Sequence, residues 1–477
     1  MTRSLAAIVL AFALFAPRAA AWPPAGSESL EEVRATARTA LVERLLGLAQ
    51  WCNQNDLFEE RDRVWRLVIG VDADNLEARK GLRYARNTDG SWKDPSPRPV
   101  KNRNAAALEQ LPAKRAEAIG PFRDALFERL KAEDVPAEVR RSVLDEILSI
   151  DPDDAGVHEM LGEARLEDRW VLRESVAAKA RRAEIRTAVQ TAKEADIPLE
   201  PAAPTAEETT LFDGWKCGST CDGVRVIGSG DAAQCESLAR ICQAAGAVVE
   251  TALGAPAQWS TGFSFYVLTG AGEKDAFIAK LPGLDEAQRA TMKKTIGGGI
   301  PGTWKVVIFE PDAAKRQDCS VRHGLAHLLF TGWKIETKHA WIFEGLGLYL
   351  TREICGTRLT WFCSGAGVAS EGKNSPRGRL MVADSNWMNE ALKVLTKDPP
   401  PDLGAMFERD LPSFGVEDVL MSYALCAYLV EACPQAVSPL LKDIGEGTPS
   451  AAALEKALGW NVPELQARLV RWLKERK

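Results

Sequence analysis

Apolar residues recur at helical spacing along most of the chain, and this pattern predicts a mostly helical protein. Residues 29–195 have a helical period that is interrupted by Asp-rich turns. Three later segments (224–227, 263–268 and 304–309) are short and rich in β-branched and aromatic residues, which is typical of strands. From Asp318 onward nearly every segment is again helical in pattern. We therefore expect an α+β, mostly helical fold: a helical-repeat N-terminal region, then a domain with a small sheet and an α-rich C-terminal half.

Two stretches of the helical region, about 29–95 and 104–173, resemble two copies of one sequence. When the second stretch is laid on the first, segment 147–154 falls on segment 68–75, and both carry an Asp-rich turn after an apolar run. Such helical pairs resemble tetratricopeptide-type repeats, although the period is about twice the usual 34 residues. The region either presents a binding surface or packs against the rest of the chain, and the pattern favours neither.

The amino-acid composition of the chain changes after residue 195. Segment 196–210 is rich in Pro, Ala, Glu and Thr, which predicts a linker. Nine of the ten cysteines lie beyond residue 216, so we expect a separate domain over 211–477. Within it, Gly297-Gly298-Gly299 neither follows a strand nor opens a helix, so a flexible connector is expected rather than a phosphate loop. Asp318 is expected to cap the next helix or to lie in its first turn.

Segment 1–21 is predicted to be a signal peptide. Arg3 is followed by an apolar run over positions 5–15 and by the small residues Ala19-Ala20-Ala21. An uncleaved anchor is the alternative. No later stretch has the ~18 apolar residues that a membrane-spanning helix needs, so no stable membrane anchor is expected after cleavage. The sequence therefore predicts a secreted or periplasmic protein.

Export makes disulfides the expected state of the cysteines. Cys235 and Cys242 are two turns apart in a helical pattern, hence ~10 Å apart along the axis, so they cannot pair with each other. They could reach Cys217 and Cys221 in the preceding segment, but the pairing cannot be derived from sequence. A zinc site that uses Cys217 and Cys221 is the alternative.

The overall composition of the chain indicates its function less specifically than the positions of its histidines do. With 46% hydrophobic and 26% charged residues the chain is typical of soluble globular proteins. A net charge of -6 and a pI of about 5.6 give no basic surface for nucleic acid, so we expect no nucleic-acid partner. There are only four histidines, and three of them are clustered in one part of the chain: His323, His327 and His339.

His323 and His327 are one helical turn apart and therefore face the same way. Two imidazoles at that spacing can bind one zinc ion. Glu344 follows further along the chain, in another segment of helical pattern. A carboxylate from a following helix is the natural third ligand of such a site and leaves a fourth position for water. We therefore expect His323, His327 and Glu344 to be metal ligands, with zinc as the metal.

Two motifs carry a resemblance to the gluzincin branch of zinc metallopeptidases, in particular to the peptidase-MA-like domains of secreted proteins. That family has H-E-x-x-H on one helix and W-x-x-E-G-x-A-x-Y on a later one. This chain has His323-Gly324-x-x-His327 and then Trp341-x-x-Glu344-Gly345-x-Gly347-x-Tyr349. The resemblance covers residues 211–477 and implies a zinc peptidase fold.

One departure from the family pattern decides the expected activity. Gly324 occupies the position of the glutamate that takes a proton from zinc-bound water in the family, and glycine has no group that can do this. General acid–base catalysis is worth about 10²–10⁴-fold in rate. Tyr423 is the candidate donor to an oxyanion by the same resemblance, with a half-buried structural tyrosine as the alternative.

The leading hypothesis is therefore an exported pseudopeptidase or strongly impaired peptidase whose zinc site is either retained or vestigial, and which binds peptide or protein partners. A second hypothesis is an active zinc peptidase with a relocated general base. A third is a metal-free structural or interaction scaffold.

Overall fold

The computed structural model describes residues 29–95, 100–132, 135–270, 272–363, 375–382 and 385–476. The predicted signal peptide at 1–21 lies outside these residues. Helices hold 63% of the described residues and the sheets are small, so the α+β, mostly helical class is confirmed. Backbone contacts divide the chain into two compact units, one ending at Leu161 and the other beginning at Gly162.

The first unit is built from helices that share one apolar core. Its elements are α1 (Leu30–Gln54), α2 (Phe58–Val71), α3 (Leu76–Gly81), β1 (Ala85–Arg86), β2 (Trp92–Lys93), α4 (Ala105–Ala132), α5 (Ala137–Ile150) and α6 (Ala155–Met160). Ser29 and Glu32 form a capping box that starts α1. The buried stripe of α1 has helical spacing: Val33, Ala37, Leu41, Leu45 and Leu48. Because α1 packs on both α2 and α4, the residues of this stripe from Ala37 to Leu48 lie in the core that the three helices share.

The helices of the first unit recur at the offset of the sequence repeat. Helices α2 and α5 have the same length, as do α3 and α6, and the two pairs are displaced along the chain by the same interval. The N-caps correspond as well, since the side chains of Asn75 and Asp154 each accept a hydrogen bond from the third N–H that follows. The Asp-rich turns of the sequence are therefore the starts of these short helices.

The second unit carries a six-stranded sheet and most of the helices. Its elements are β3 (Glu163–Leu166), β4 (Arg169–Leu172), α7 (Arg173–Glu194), β5 (Glu200–Pro201), α8 (Ala206–Leu211), β6 (Cys217–Cys221), β7 (Val224–Gly228), α9 (Ala232–Leu253), β8 (Ser264–Leu268), α10 (Glu273–Lys280), α11 (Glu286–Lys294), β9 (Gly297–Gly299), β10 (Lys305–Phe309), α12 (Ala313–Trp333), α13 (Ala340–Cys355), α14 (Pro376–Leu380), α15 (Trp387–Leu395), α16 (Leu403–Phe407), a 3₁₀ turn (Leu411–Ser413), α17 (Val416–Ala432), α18 (Pro434–Gly445), α19 (Ser450–Leu458) and α20 (Val462–Glu475).

The strand order is β5-β6-β7-β8-β10-β9, with β7, β8 and β10 parallel and the other neighbours antiparallel. Strand β8 is buried on both faces: Phe265 and Val267 lie in the large core, while Tyr266 and Leu268 lie in a smaller cluster on the other face. Helices α9 and α12 pack against each other and against this sheet. The sheet thus supports α12, the helix that carries His323 and His327.

Three sequence-based expectations about local structure differ from the described fold. Helix α12 begins at Ala313, where Asp312 caps it, and Asp318 lies inside the helix with no exposed surface. The segment Gly297–Gly299 is edge strand β9, paired with β10, rather than a flexible connector. Segment 196–210 contains β5 and the start of α8, since Thr205 and Glu208 form a capping box there. Nearby N-caps account for the two helix starts, and pairing with β10 accounts for strand β9.

The cysteines settle one of the open pairings. Cys217 and Cys235 lie at disulfide distance, which joins β6 to α9. Cys217 is therefore not free for a zinc site with Cys221. Cys221 and Cys242 are buried thiols. Over the described residues, no helix is both long and apolar enough to cross a membrane.

We expect Cys217→Ser, Cys235→Ser and the double variant to lower the free energy of unfolding by the same amount, about 3 kcal/mol, because each opens the same loop between strand β6 and helix α9. Urea unfolding of the purified chain measures this loss. A reductant should lower the stability of the wild type to that of the double variant and leave the double variant unchanged. Additive losses from the two single variants would contradict the pairing.

Candidate functional site

Helix α12 presents the two predicted histidine ligands one turn apart, with His323 toward β9 and His327 toward the loop before β8. His323 is partly buried, and its ring lies 4.7 Å from the ring of Phe362. His327 is 6% exposed. Burial, and secondly the charge of Arg322, lowers the pKa of His323 to about 3. The one-turn spacing of the two histidines on a helix therefore agrees with the prediction from the sequence. The lowered pKa keeps His323 neutral at pH 7.

His327 is enclosed by aromatic rings. Its ring stacks on Phe263 and Trp259 with centroid distances of 4.3 and 5.7 Å, and it meets the ring of Trp304 in a T-shaped arrangement with the centroids 5.0 Å apart. Its Nε2 accepts a hydrogen bond of 3.0 Å from the backbone N–H of Ser260, so the proton of the neutral ring is assigned to Nδ1. Within the described residues, Nδ1 is buried without a hydrogen-bond partner. Burial lowers the pKa of His327 to about 4, which keeps the ring neutral at pH 7.

Glu344 is fully buried in α13 and is already neutralised by protein groups. Its Oε2 lies 2.7 Å from Nη2 of Arg322, which is also fully buried. Its Oε1 accepts from the backbone N–H of Phe362 at 3.0 Å and from the thiol of Cys363 at 3.7 Å. Both oxygens of the predicted third ligand therefore have partners inside the protein.

These side chains do not fit a zinc ion in the described arrangement. Nε2 of His327 faces an N–H donor, and Glu344 faces a guanidinium. No group of three His, Cys, Asp or Glu residues that could hold a metal occurs in the described part of the chain. Zinc binding by His323, His327 and Glu344 thus remains a prediction from the sequence, to be decided by metal analysis.

The space at Gly324 is filled by an indole ring. A β-carbon at Gly324 would lie 2.9 Å from Cη2 of Trp259, closer than packed carbon atoms approach. Trp259 also packs on Phe263 and on His327. Glycine at this position is therefore explained by close packing with Trp259, which sequence reasoning did not find.

Tyr423 lies in α17 with 4% of its surface exposed. Its hydroxyl accepts a hydrogen bond of 3.3 Å from Arg358, and its ring packs on Trp387 and Tyr349. These contacts are those of a structural tyrosine. His339 precedes α13 and its Nδ1 accepts from the N–H of Glu336, so it forms part of the turn between α12 and α13.

The residues that sequence reasoning missed are Arg322, Trp259 and Phe362. A signal for Arg322 was present, because it directly precedes His323 and a permanent cation beside a metal ligand repels a metal ion. Trp259 and Phe362 lie in segments without regular structure, far from α12 in sequence, and carried no such signal.

Comparisons with known proteins add no relative. No family model matches the chain, and no curated protein or solved structure is significantly similar to it.

The packing at Gly324 predicts that Gly324→Ala has opposite effects on stability in the wild type and in a Trp259→Ala variant. In the wild type, Gly324→Ala should lower the free energy of unfolding by about 1 kcal/mol, because overpacking against Trp259 outweighs the gain in helix propensity. In a Trp259→Ala background, the same change should raise stability by about 1 kcal/mol. Urea unfolding of the four proteins measures both effects. Equal effects in the two backgrounds would contradict the contact.

The buried neutral state of His327 predicts an acid-sensitive stability. The pKa is near 6.5 in the unfolded chain and about 4 in the fold, so the unfolded state binds the proton first. Stability should fall as pH drops from 6.5 to 4 and level off below, by up to about 3 kcal/mol for this group. His327→Gln keeps a hydrogen-bond acceptor but does not titrate here, so its stability should fall less over this range. An identical pH dependence in wild type and variant would contradict this assignment.

Proposed function

We propose that this chain is an exported, metallopeptidase-like protein without effective peptidase activity that binds peptide or protein segments. The observation that carries the proposal is the packing of Trp259 on Gly324, at the position where the resembled family has its general base. A base restored at this position would overlap the indole. Export rests on residues 1–21, outside the described part of the chain.

The second support concerns the carboxylate beside the histidines. Glu344 forms an ion pair with Arg322 and accepts the Phe362 N–H, so it is occupied by structural contacts. A buried ion pair of this kind is broken only at a large cost in stability. Efficient hydrolysis through a metal held by Glu344 is therefore not the function that this geometry favours.

Binding is supported by an exposed aromatic pair beside His327. Trp304 is 44% exposed and Phe330 is 36% exposed, with ring centroids 5.5 Å apart. The ring of Trp304 also forms a T-shaped contact with the ring of His327. Tryptophan is enriched at the energetic centres of protein interfaces, because it buries a large apolar area with little loss of side-chain entropy. We define the Trp304–Phe330 patch as the surface that receives the partner.

Two other functions make different predictions. An active zinc peptidase with a relocated base would cleave peptides, and a chelator or His327→Ala would stop the cleavage. A metal-free scaffold would neither select peptides at the Trp304–Phe330 patch nor bind zinc. The proposed function predicts peptide binding and no chelator-sensitive cleavage.

The test is selection from a displayed random-peptide library on the immobilised mature chain, followed by fluorescence anisotropy of the enriched peptides. We expect apolar and aromatic peptides, with affinity reduced about 30-fold by Trp304→Ala, in line with the loss of one interface hot spot of about 2 kcal/mol.

Leu166→Ala and Val176→Ala are the matched controls, since these side chains are 41% and 40% exposed in the same unit. They should leave the affinity unchanged. The proposal fails if no peptide is enriched, or if the control variants weaken binding as much as Trp304→Ala does. Fluorogenic peptides incubated with and without chelator measure the cleavage.

A further inference from the structure

The guanidinium of Arg322 occupies a closed compartment beside Glu344. Its Nη2 lies 2.7 Å from Oε2 of Glu344 and 3.2 Å from the carbonyl oxygen of Phe343, to both of which it donates. Its Cζ lies 4.2 Å from the ring centroid of Phe362 and 5.1 Å from that of Phe343, so the cation is held between aromatic faces. Nε and Nη1 are buried and have no hydrogen-bond partner among the described residues. The cation is thus enclosed, with the Glu344 carboxylate as the anion against it.

The compartment exists because residue 347 is glycine. A β-carbon at Gly347 would lie 2.2 Å from Nη1 and 2.3 Å from Cζ of Arg322. The resembled family has alanine at this place in its second motif. Glycine in place of this alanine therefore leaves room for Arg322, the residue that precedes His323.

Arg322 and a metal ion would compete for the same carboxylate. The guanidinium of Arg322 is a fixed cation held against Glu344 by an ion pair. A divalent cation on Glu344 would lie a few ångströms from this fixed positive charge, in an environment that screens little. The remaining oxygen of Glu344 accepts the N–H of Phe362, so one carboxylate cannot serve both cations with its partners unchanged.

We propose that Arg322 is the built-in cation of this site: its guanidinium takes the place of a divalent metal ion against Glu344, and the second unit folds without metal at His323, His327 and Glu344. The arginine is a positioning residue. It holds the Glu344 carboxylate in α13 and, through that carboxylate, the backbone at Phe362. This role goes beyond the proposed binding function and does not depend on it.

The first measurement is the metal response of the full mature chain. Wild type should have the same unfolding midpoint in EDTA and in zinc chloride, and metal analysis after dialysis should find far less than one zinc per chain. Stoichiometric zinc that raises the midpoint of the wild type, and that no longer does so in His323→Gln or His327→Gln, would overturn the proposal.

The second measurement is a charge cycle. Arg322→Met leaves the Glu344 carboxylate buried without its cation, and Glu344→Gln leaves the guanidinium without its anion, so each should lower the unfolding midpoint by on the order of 10 °C. The double variant Arg322→Met/Glu344→Gln removes both charges and should recover most of the loss. If a single variant does not fold, recovery of a folded double variant is the same result. Additive losses, or an Arg322→Met variant as stable as wild type, would overturn the proposal.

The third measurement uses Gly347 as a matched probe of the compartment. Gly347→Ala should lower the midpoint of the wild type, because the methyl group overlaps the guanidinium. In the Arg322→Met/Glu344→Gln background the same change should be neutral or stabilising. An equal loss in both backgrounds would show that residue 347 contacts something other than the arginine and would overturn this part of the proposal.

Discussion

The candidate site of the second unit is organised around a fully buried ion pair. Arg322 on α12 and Glu344 on α13 have no exposed surface, so neither charge can be hydrated and each needs the other. The pair links α12 to α13, the two helices that carry the candidate site. It also reaches into the segment after α13, where the carboxylate accepts the N–H of Phe362. Asp318 acts in parallel, since it accepts the N–H groups of Leu359 and Thr360. Two buried acids thus supply acceptors that this irregular backbone lacks.

Each departure from the peptidase-like motifs is matched by a large side chain that fills the space. Gly324 faces the indole of Trp259, and Gly347 faces the guanidinium of Arg322. A glycine in a helix lowers stability by roughly 1 kcal/mol relative to alanine, so its presence needs a compensating contact. Close packing with Trp259 provides this contact at Gly324, and the guanidinium of Arg322 provides it at Gly347. The two histidines remain, but their surroundings are those of a packed aromatic core.

The same aromatic core continues to the protein surface. Phe263 and Trp259 stack on the buried ring of His327, and Trp304 bridges from that ring to the exposed Phe330. A rigid core below an exposed aromatic pair favours binding, because little side-chain entropy is lost when a partner covers it. The packing of Trp259 on Gly324 argues against hydrolysis, and the Trp304–Phe330 patch argues for binding. Both therefore belong to one continuous set of aromatic contacts.

Most helices, strands β7, β8 and β10, the one-turn spacing of His323 and His327, and the absence of an acidic side chain at Gly324 followed from the sequence, because they depend on periodicity and residue type within one element. The sequence also narrowed the partners of Cys235. It did not determine that Glu344 pairs with Arg322, that Asp318 lies inside a helix, or that Gly297–Gly299 is an edge strand. Those outcomes depend on which groups meet across different elements, where the low-dielectric interior requires every charge and every backbone group to find a partner. The spacing of residues along one helix determines which side chains could bind a common ligand. Only the tertiary fold determines whether those side chains already have partners within the protein.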